Sequence, residues 1–554
     1  MKKLTALLLA VLMGLTVVGC SSKPAETTEA TDKPAETDTE TTTETEYATT
    51  FTYAIGGEPD TLDPASGSDS VTAYITNQIY WPLFIIGEDG SMVNAACESY
   101  EISEDGMVYT LHLAEGNTWS DGQPCTAADY VYGMKHAINL GSADSVYSTF
   151  LLSFVKNAAE YEGKPTAEMT DLGVVAVDDK TIEITLGNPC PYFLSLLPSG
   201  VFYPMREEFA KDGDYLWAND AAVPTNGAFH PVKIDAANEI VMEKNTYFPH
   251  ADEVVVETLI AKTMPDMDAE LMAFQTGEID LATAVNATEV TKIYAGQPEL
   301  LISDSVINYY VQVNCVSEDV PELQDAKVRR ALQLAIDRSA IITALDADGV
   351  YYELAGYVPN GFKGIKDDFR AEADAEQPYT YTDKEEAKKL LEEAGVTDLK
   401  LTYYYNQNAM HDTVAAVLKE QLKDVGVDLT LKTAEIRTFF DDRSNGIFEL
   451  ARGAMSADYM DTFTFLEMGA SWYQSTPTWG DATYDELLKK SATQTGDERI
   501  QTLHDAEKYV VETASMTIPL FGYKNVCLGK AGIEDAWTSP QANHVLWYVK
   551  CPAK

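Results

Sequence analysis

The stretch His411-Asp412-Thr413-Val414-Ala415-Ala416-Val417-Leu418-Lys419-Glu420-Gln421-Leu422-Lys423-Asp424-Val425-Gly426-Val427-Asp428-Leu429-Thr430-Leu431 decides the fold class. Val414, Ala415, Leu418 and Leu422 recur at the three- and four-residue spacing of one helix face. Gly426 stops that helix, as glycine does at a left-handed cap. Val427, Leu429 and Leu431 then alternate with polar partners, which is strand periodicity. A helix feeding a strand after one glycine is the unit of an α/β protein. Upstream, Thr382-Asp383-Lys384-Glu385 reads as a capping box ahead of Ala387, Leu390 and Leu391, and Gly395 ends that helix. Asp325 to Leu345 reads as one helix, with Val328, Ala331, Leu332, Ala335 and Ile336 on a stripe. Strands are predicted at Phe51–Gly56, Met107–Leu113, Thr181–Leu186, Ile240–Lys244 and Glu253–Ala261. Strands and helices mix without a short repeat, so solenoids and propellers are excluded.

The N-terminus reads as an address. Met1-Lys2-Lys3 is a short positive end, Leu4 to Val18 is apolar, and Val17-Val18-Gly19 places small residues before Cys20. The run is too short for the ~20 apolar residues of a spanning helix, so residues 1–19 read as an export signal. Small residues before Cys20 resemble a bacterial lipobox, which implies lipidation of that cysteine. Residues 20–50 read as a tether: from Ser21 to Thr50 there are eight acidic residues, two lysines and many threonines. Such a segment buries too little surface to offset its ordering entropy.

The remaining body of about five hundred residues calls for more than one core. A net charge of −49 leaves no basic stripe for phosphates, which excludes nucleic acid as a partner. Of seven cysteines, six follow Cys20, and none forms a C-x-x-C pair or a zinc spacing. Buried free thiols are their expected state. The chain contains no G-x-S-x-G, H-E-x-x-H, P-loop or strand-linked G-x-G-x-x-G. No catalytic residues, metal site or cofactor are therefore expected, and the weight moves to binding.

One segment stands out. Phe448-Glu449-Leu450-Ala451-Arg452-Gly453-Ala454-Met455-Ser456-Ala457-Asp458-Tyr459 is rich in small and apolar residues, yet past Glu449 it carries a cation, Arg452, at its centre and an anion, Asp458, near its end. Buried charges need a partner or a ligand. Arg452 offers a planar fork for a carboxylate, and Asp458 offers acceptors for an ammonium. The small residues around Ala454 and Met455 let a ligand backbone approach. Internal salt bridges are the alternative reading of the same two charges.

Further blocks carry a resemblance. They are Gly57-Glu58-Pro59-Asp60-Thr61-Leu62-Asp63-Pro64, Trp119-Ser120-Asp121-Gly122-Gln123-Pro124 with Thr126 to Tyr132, Asp178 to Leu186, Thr225-Asn226-Gly227-Ala228-Phe229, Gly277-Glu278-Ile279-Asp280, Val328 to Leu332 with Ala335 to Arg338, and Glu386 to Leu391. In this order, from about Gly56 to Lys550, the chain resembles the oligopeptide-binding lipoproteins of ABC importers, solute-binding family 5. The resemblance implies a two-lobed, hinge-closing periplasmic-binding-protein-like α/β fold with an additional small domain. One lobe would comprise residues 51–77, 197–302 and 515–554, the extra domain 78–196 and the second lobe 303–514, with crossings near Ile302 and Ala514.

It also implies a function: extracytoplasmic capture of short peptides and delivery to a membrane permease with ATPase subunits, by a monomer held to the membrane through Cys20. Asp458 matches the acid that holds the peptide α-ammonium, and Arg452 the arginine that holds a tripeptide carboxylate. His411 matches a histidine that meets the carboxylate of longer peptides. Tyr147 lines up with a pocket tyrosine, and Ser68-Asp69-Ser70 with an extended segment that pairs with the ligand backbone. Departures occur at Ile436 and Met455, where relatives carry tryptophans, and at Gln312 and Ser68, where they carry acids. The lysine for a dipeptide carboxylate has no match, with Asp346 near its place. A metal chelate or glycoside as ligand, or a peptide-sensing receptor, are the alternatives on the same scaffold.

Overall fold

The computed structural model describes residues 46–214, 216–376, 378–473 and 478–553. The export signal and Cys20 lie outside the described residues. The tether, expected to run to residue 50, is already paired at its last residues. Tyr47 bridges Pro552, the Ala48 N–H donates to the Cys551 carbonyl at 2.8 Å, and Thr50 opens the strand Thr50–Ile55. An aromatic residue followed by β-branched threonines favours strand pairing there.

The class is mixed α/β. One sheet of eleven strands runs through the body, with the order Val427–Ala434, Leu399–Asn406, Leu450–Ser456, Leu300–Val313, Thr517–Gly529, Leu281–Ala282, Thr50–Ile55, Thr258–Thr263, Glu239–Lys244 and Phe229–Asp235. The eleventh strand, Tyr351–Glu353, pairs with Thr517–Gly529 off this path. A separate four-stranded antiparallel sheet holds Cys97–Ile102, Val108–Leu113, Thr181–Thr185 and Val174–Asp178. Among the described residues no helix is long and apolar enough to cross a membrane.

Two long antiparallel strands, Leu300–Val313 and Thr517–Gly529, tie the sheet together. Their register slips between Ser303 and Ile307. Beyond the slip, Tyr309, Val311, Val313, Ile518, Leu520 and Phe521 join one buried core with Val328, Leu332, Leu401 and Leu418. Before it, Leu300 and Leu528 belong to a second cluster with Ala54 and Val290. A third and larger cluster joins Phe51, Tyr53, Ile240 and Leu259 to Val306 and Tyr310 across the slip, and each fully buried Leu or Val in these clusters contributes roughly 1.5–3 kcal/mol.

Local sequence explains most elements and corrects three expectations. The predicted helix Asp325–Leu345 is two helices, Ala326–Leu334 and Arg338–Leu345. Asp337 breaks it by capping a new start, accepting from the Ala340 N–H at 3.2 Å. The predicted strand Glu253–Ala261 begins only at Thr258, after a turn. Asp383 rather than Thr382 caps the helix Lys384–Glu393, while the Thr382 hydroxyl donates to the Ile336 carbonyl. All six cysteines of the body are free and buried.

Candidate ligand-binding site

The strand Leu450–Ser456 runs parallel to Leu399–Asn406 and antiparallel to Leu300–Val313. Arg452 thus lies opposite Val311, Ala454 opposite Tyr309 and Met455 opposite Asn308. Asp458 follows two residues beyond the strand, and Asn406 ends its own strand. Carboxyl ends of parallel strands are where α/β sheets leave a crevice for ligands.

At one end of the site lies a cavity of about 290 Å³. Asp458, Tyr147, Ser68, Asp69 and Ser70 line it together, so five of the expected site residues meet there. The Tyr147 hydroxyl donates to Asp458 Oδ1 at 3.2 Å. Asp458 is open to the cavity and has no ion-pair partner among the described residues. Surrounding protein nevertheless raises its carboxyl pKa through lost hydration, and the Tyr147 hydrogen bond opposes that rise. Burial raises the Tyr147 phenol as well, with Asp458 adding to the effect. Tyr203, Phe84 and Trp547 complete apolar walls.

Ser70 corrects the extended segment, because it opens the helix Ser70–Ile79. Asp69 is extended and caps that helix, accepting from the Thr72 N–H at 2.8 Å. Extended backbone at the rim is therefore found at Asp69, just before the helix.

Arg452 and His411 do not line this cavity. Arg452 is buried, and its Nε donates to Asn406 Oδ1 at 2.7 Å. Its guanidinium carbon lies 5.0 Å from the ring centre of Phe439 and 5.4 Å from that of Phe440. Among the described residues neither Nη group has a hydrogen-bond partner and no carboxylate pairs with the cation. Burial lowers its pKa, partly offset by the nearby phenols of Tyr309, Tyr403 and Tyr523. A buried guanidinium kept charged without a counter-ion is a built acceptor site for a carboxylate.

His411 sits in the first turn of the helix Ala409–Lys423, capped by Asn408. It is buried, with Nδ1 3.1 Å from the Tyr309 hydroxyl. Burial, aided by Arg452, pushes its pKa down to about 4. His411 is therefore neutral at physiological pH and offers a hydrogen bond rather than a charge.

Other expected residues fare differently. Gln312 is occupied within the protein: Oε1 accepts from Arg443 Nε at 2.7 Å, and Nε2 donates to Thr478 Oγ1 at 3.3 Å. It lines a separate cavity of about 30 Å³, too small for a peptide. Ile436 opens the helix Ile436–Ser444 and is exposed. Met455 is half-buried, and its N–H donates to Asn308 Oδ1 at 3.2 Å. Ala454 is half-buried beside it. Asn406, Tyr309, Phe439 and Phe440 were missed. Only Asn406 carries a signal, a polar residue closing a strand just before a turn.

An anion and a buried cation that lack ion-pair partners among the described residues, on and just past one strand of the sheet, suit a charged solute. The model of the bacterial extracellular solute-binding proteins, family 5, matches residues 91–477. The chain belongs to that family. It is 30% identical over 480 residues to the probable deoxycholate-binding periplasmic protein YgiS of Escherichia coli, covering 85% of this chain and 87% of that one. It is 29% identical over 493 residues to the periplasmic oligopeptide-binding protein OppA of Escherichia coli, covering 86% and 87%. Among solved structures, the unliganded open form of MppA, a periplasmic murein tripeptide binding protein, superposes with a TM-score of 0.72. There the identity is 25%, with 92% of this chain and 98% of that chain covered. The fold is that of the periplasmic binding proteins.

Proposed function

We propose that this chain captures short peptides outside the cytoplasm and delivers them to an ABC transporter permease with its ATPase subunits. The observation that carries the reading is the pair Asp458 and Arg452. They are opposite charges six residues apart, Arg452 early in the strand Leu450–Ser456 and Asp458 two residues past its end, and among the described residues neither has an ion-pair partner. A peptide brings an ammonium and a carboxylate at its two ends, and it leaves no buried charge stranded. Asp458 holds the ammonium with Tyr147 orienting its carboxylate. Arg452 takes the carboxylate of a short peptide, and neutral His411 donates a hydrogen bond to that of a longer one. The backbone at Ser68–Asp69 pairs with the ligand main chain, which confers affinity without reading sequence.

The proposed lobes are residues 51–77, 197–302 and the chain after Asn525 on one side and the chain from 303 to Tyr523 on the other, with 78–196 as the extra domain. The hinge falls at the register slip Ser303–Ile307 and, on the partner strand, near Tyr523–Asn525 rather than Ala514. Ile518, Leu520 and Phe521 pack in the core of the second side, which supports moving that crossing. The working form is a monomer anchored through a lipidated Cys20, with no cofactor and no catalytic role.

Native mass spectrometry of the chain purified without denaturation tests the reading. Bound masses matching di- to pentapeptides support it. A second reading is favoured by the likeness to YgiS: a steroid carboxylate held by Arg452 beside Phe440. One bound mass of that kind, with no peptide affinity in a library titration, replaces peptide capture.

A further inference from the structure

The helix Ile436–Ser444 presents two large apolar side chains to solvent beside Arg452, a buried guanidinium with no carboxylate partner among the described residues. Ile436 is 55% exposed and Phe440 43% exposed. They are four residues apart on one helix, so they share a face. Phe440 is also one of the two rings against which Arg452 packs, at 5.4 Å. Its neighbour Phe439 is buried, meets Arg452 at 5.0 Å and packs edge-on against Tyr404 at 5.2 Å. That contact pins the helix, and with it the position of Ile436 and Phe440 relative to the cation.

We infer that Ile436 and Phe440 form an apolar shelf that selects peptides whose last, carboxylate-bearing residue has an apolar side chain. This inference rests on the peptide reading of the site and names the substrate class within it. In a peptide's last residue the carboxylate carbon and Cβ share one Cα, so they lie about 2.5 Å apart. A carboxylate seated on Arg452 therefore places its own side chain within reach of the surface that flanks the guanidinium. That surface is Phe440, continued by Ile436. An apolar side chain covers both and is itself removed from water, whereas a charged one loses hydration there without a partner. Arg443 is hydrogen-bonded to two neutral groups, Gln312 Oε1 and the Tyr310 hydroxyl at 3.0 Å. The aromatic wall that the departure at Ile436 removes is thus supplied one helix turn later, by Phe440.

Isothermal titration calorimetry with the full mature chain tests this. The ligands are trialanine, the same tripeptide ending in leucine, the same ending in aspartate, and deoxycholate. The leucine-ended peptide is expected to bind about tenfold tighter than the aspartate-ended one, the scale of burying one apolar side chain. The double variant Ile436→Ser, Phe440→Ser should bring that ratio to within about threefold, because it removes both apolar side chains of the shelf. Equal affinity for the leucine- and aspartate-ended peptides in the wild type overturns the shelf and leaves peptide capture standing. Binding of deoxycholate that Arg452→Met abolishes, with no tripeptide bound, assigns the shelf to a free apolar carboxylate and overturns both. Absence of all binding overturns both as well.

Discussion

Arg499 and Arg452 are both buried arginines of the same chain, and they end in opposite situations. Arg499 clamps Asp461 through both Nη groups, at 2.8 and 2.7 Å. Arg370 pairs with Glu507 and Asp374, while Arg329 donates to the carbonyls of Leu323, Gln324 and Ala514. Among the described residues, the Arg452 side chain meets a neutral amide oxygen and two aromatic rings, and the Asp458 carboxylate a phenol. Asp461 and Glu507 thus neutralise buried arginines that hold the fold, whereas Arg452 and Asp458 have no ion-pair partner among the described residues. Sequence does not separate the two kinds, since all are arginines and acids among apolar neighbours.

That contrast is open to direct attack. The largest effect is expected from Asp461→Ala, which strands the buried Arg499. It should lower unfolding stability by about 3–5 kcal/mol in urea denaturation. Next comes Asp458→Ala, which should weaken binding of a free-amine tripeptide by ~2–4 kcal/mol in calorimetry, the scale for losing one partner of a desolvated pair. Acetylating the peptide amine should cost the wild type a similar amount and the variant nothing further. Unchanged affinity in Asp458→Ala would sink terminal recognition.

The third effect is a pH dependence. Unfolded His411 takes up a proton near its ordinary value of 6.5, but folded His411 does so only at about 4. Between those values the unfolded state binds more protons, so stability falls as pH drops from 6.5 to 4. His544, buried and also pushed down to about 4, acts in the same direction. His411→Gln should reduce the stability lost between pH 7 and pH 4.5 by about 2–3 kcal/mol. An unaltered slope in that variant would mean that His411 is hydrated in the folded protein. The smallest effect is on the stability of Arg452→Met. It should unfold within about 1 kcal/mol of the wild type, because it trades an unpaired buried cation for an apolar chain of similar reach. The same variant should lose tripeptide affinity, and amidating the peptide carboxylate should then make no difference. A stability loss as large as that of Asp461→Ala would show that Arg452 is a structural residue.

Much of this was legible in residue order. The run His411–Leu431 gave helix, stop and strand, and the structure has them as Ala409–Lys423 and Val427–Ala434. Arg452 and Asp458 stood out because charges are costly in a run of small apolar residues. The helix break at Asp337 was not read, although an aspartate can cap a new helix inside a continuous apolar stripe. Gln312 was expected at the ligand and is instead held by Arg443 and Thr478, partners 131 and 166 residues away. The Arg452 surroundings likewise come from three separate segments, at Tyr309, Asn406 and Phe439–Phe440. No local pattern announces contacts of that range.

Sequence by itself determined the α/β class, the two charges of the site and the residue types that flank them, because periodicity and charge cost are local properties. Tertiary structure decided which charges stay unpaired, that His411 is neutral, and that Phe440 stands beside Arg452. Those outcomes depend on desolvation and on distances between strands remote in the chain, and neither is set until the sheet has assembled.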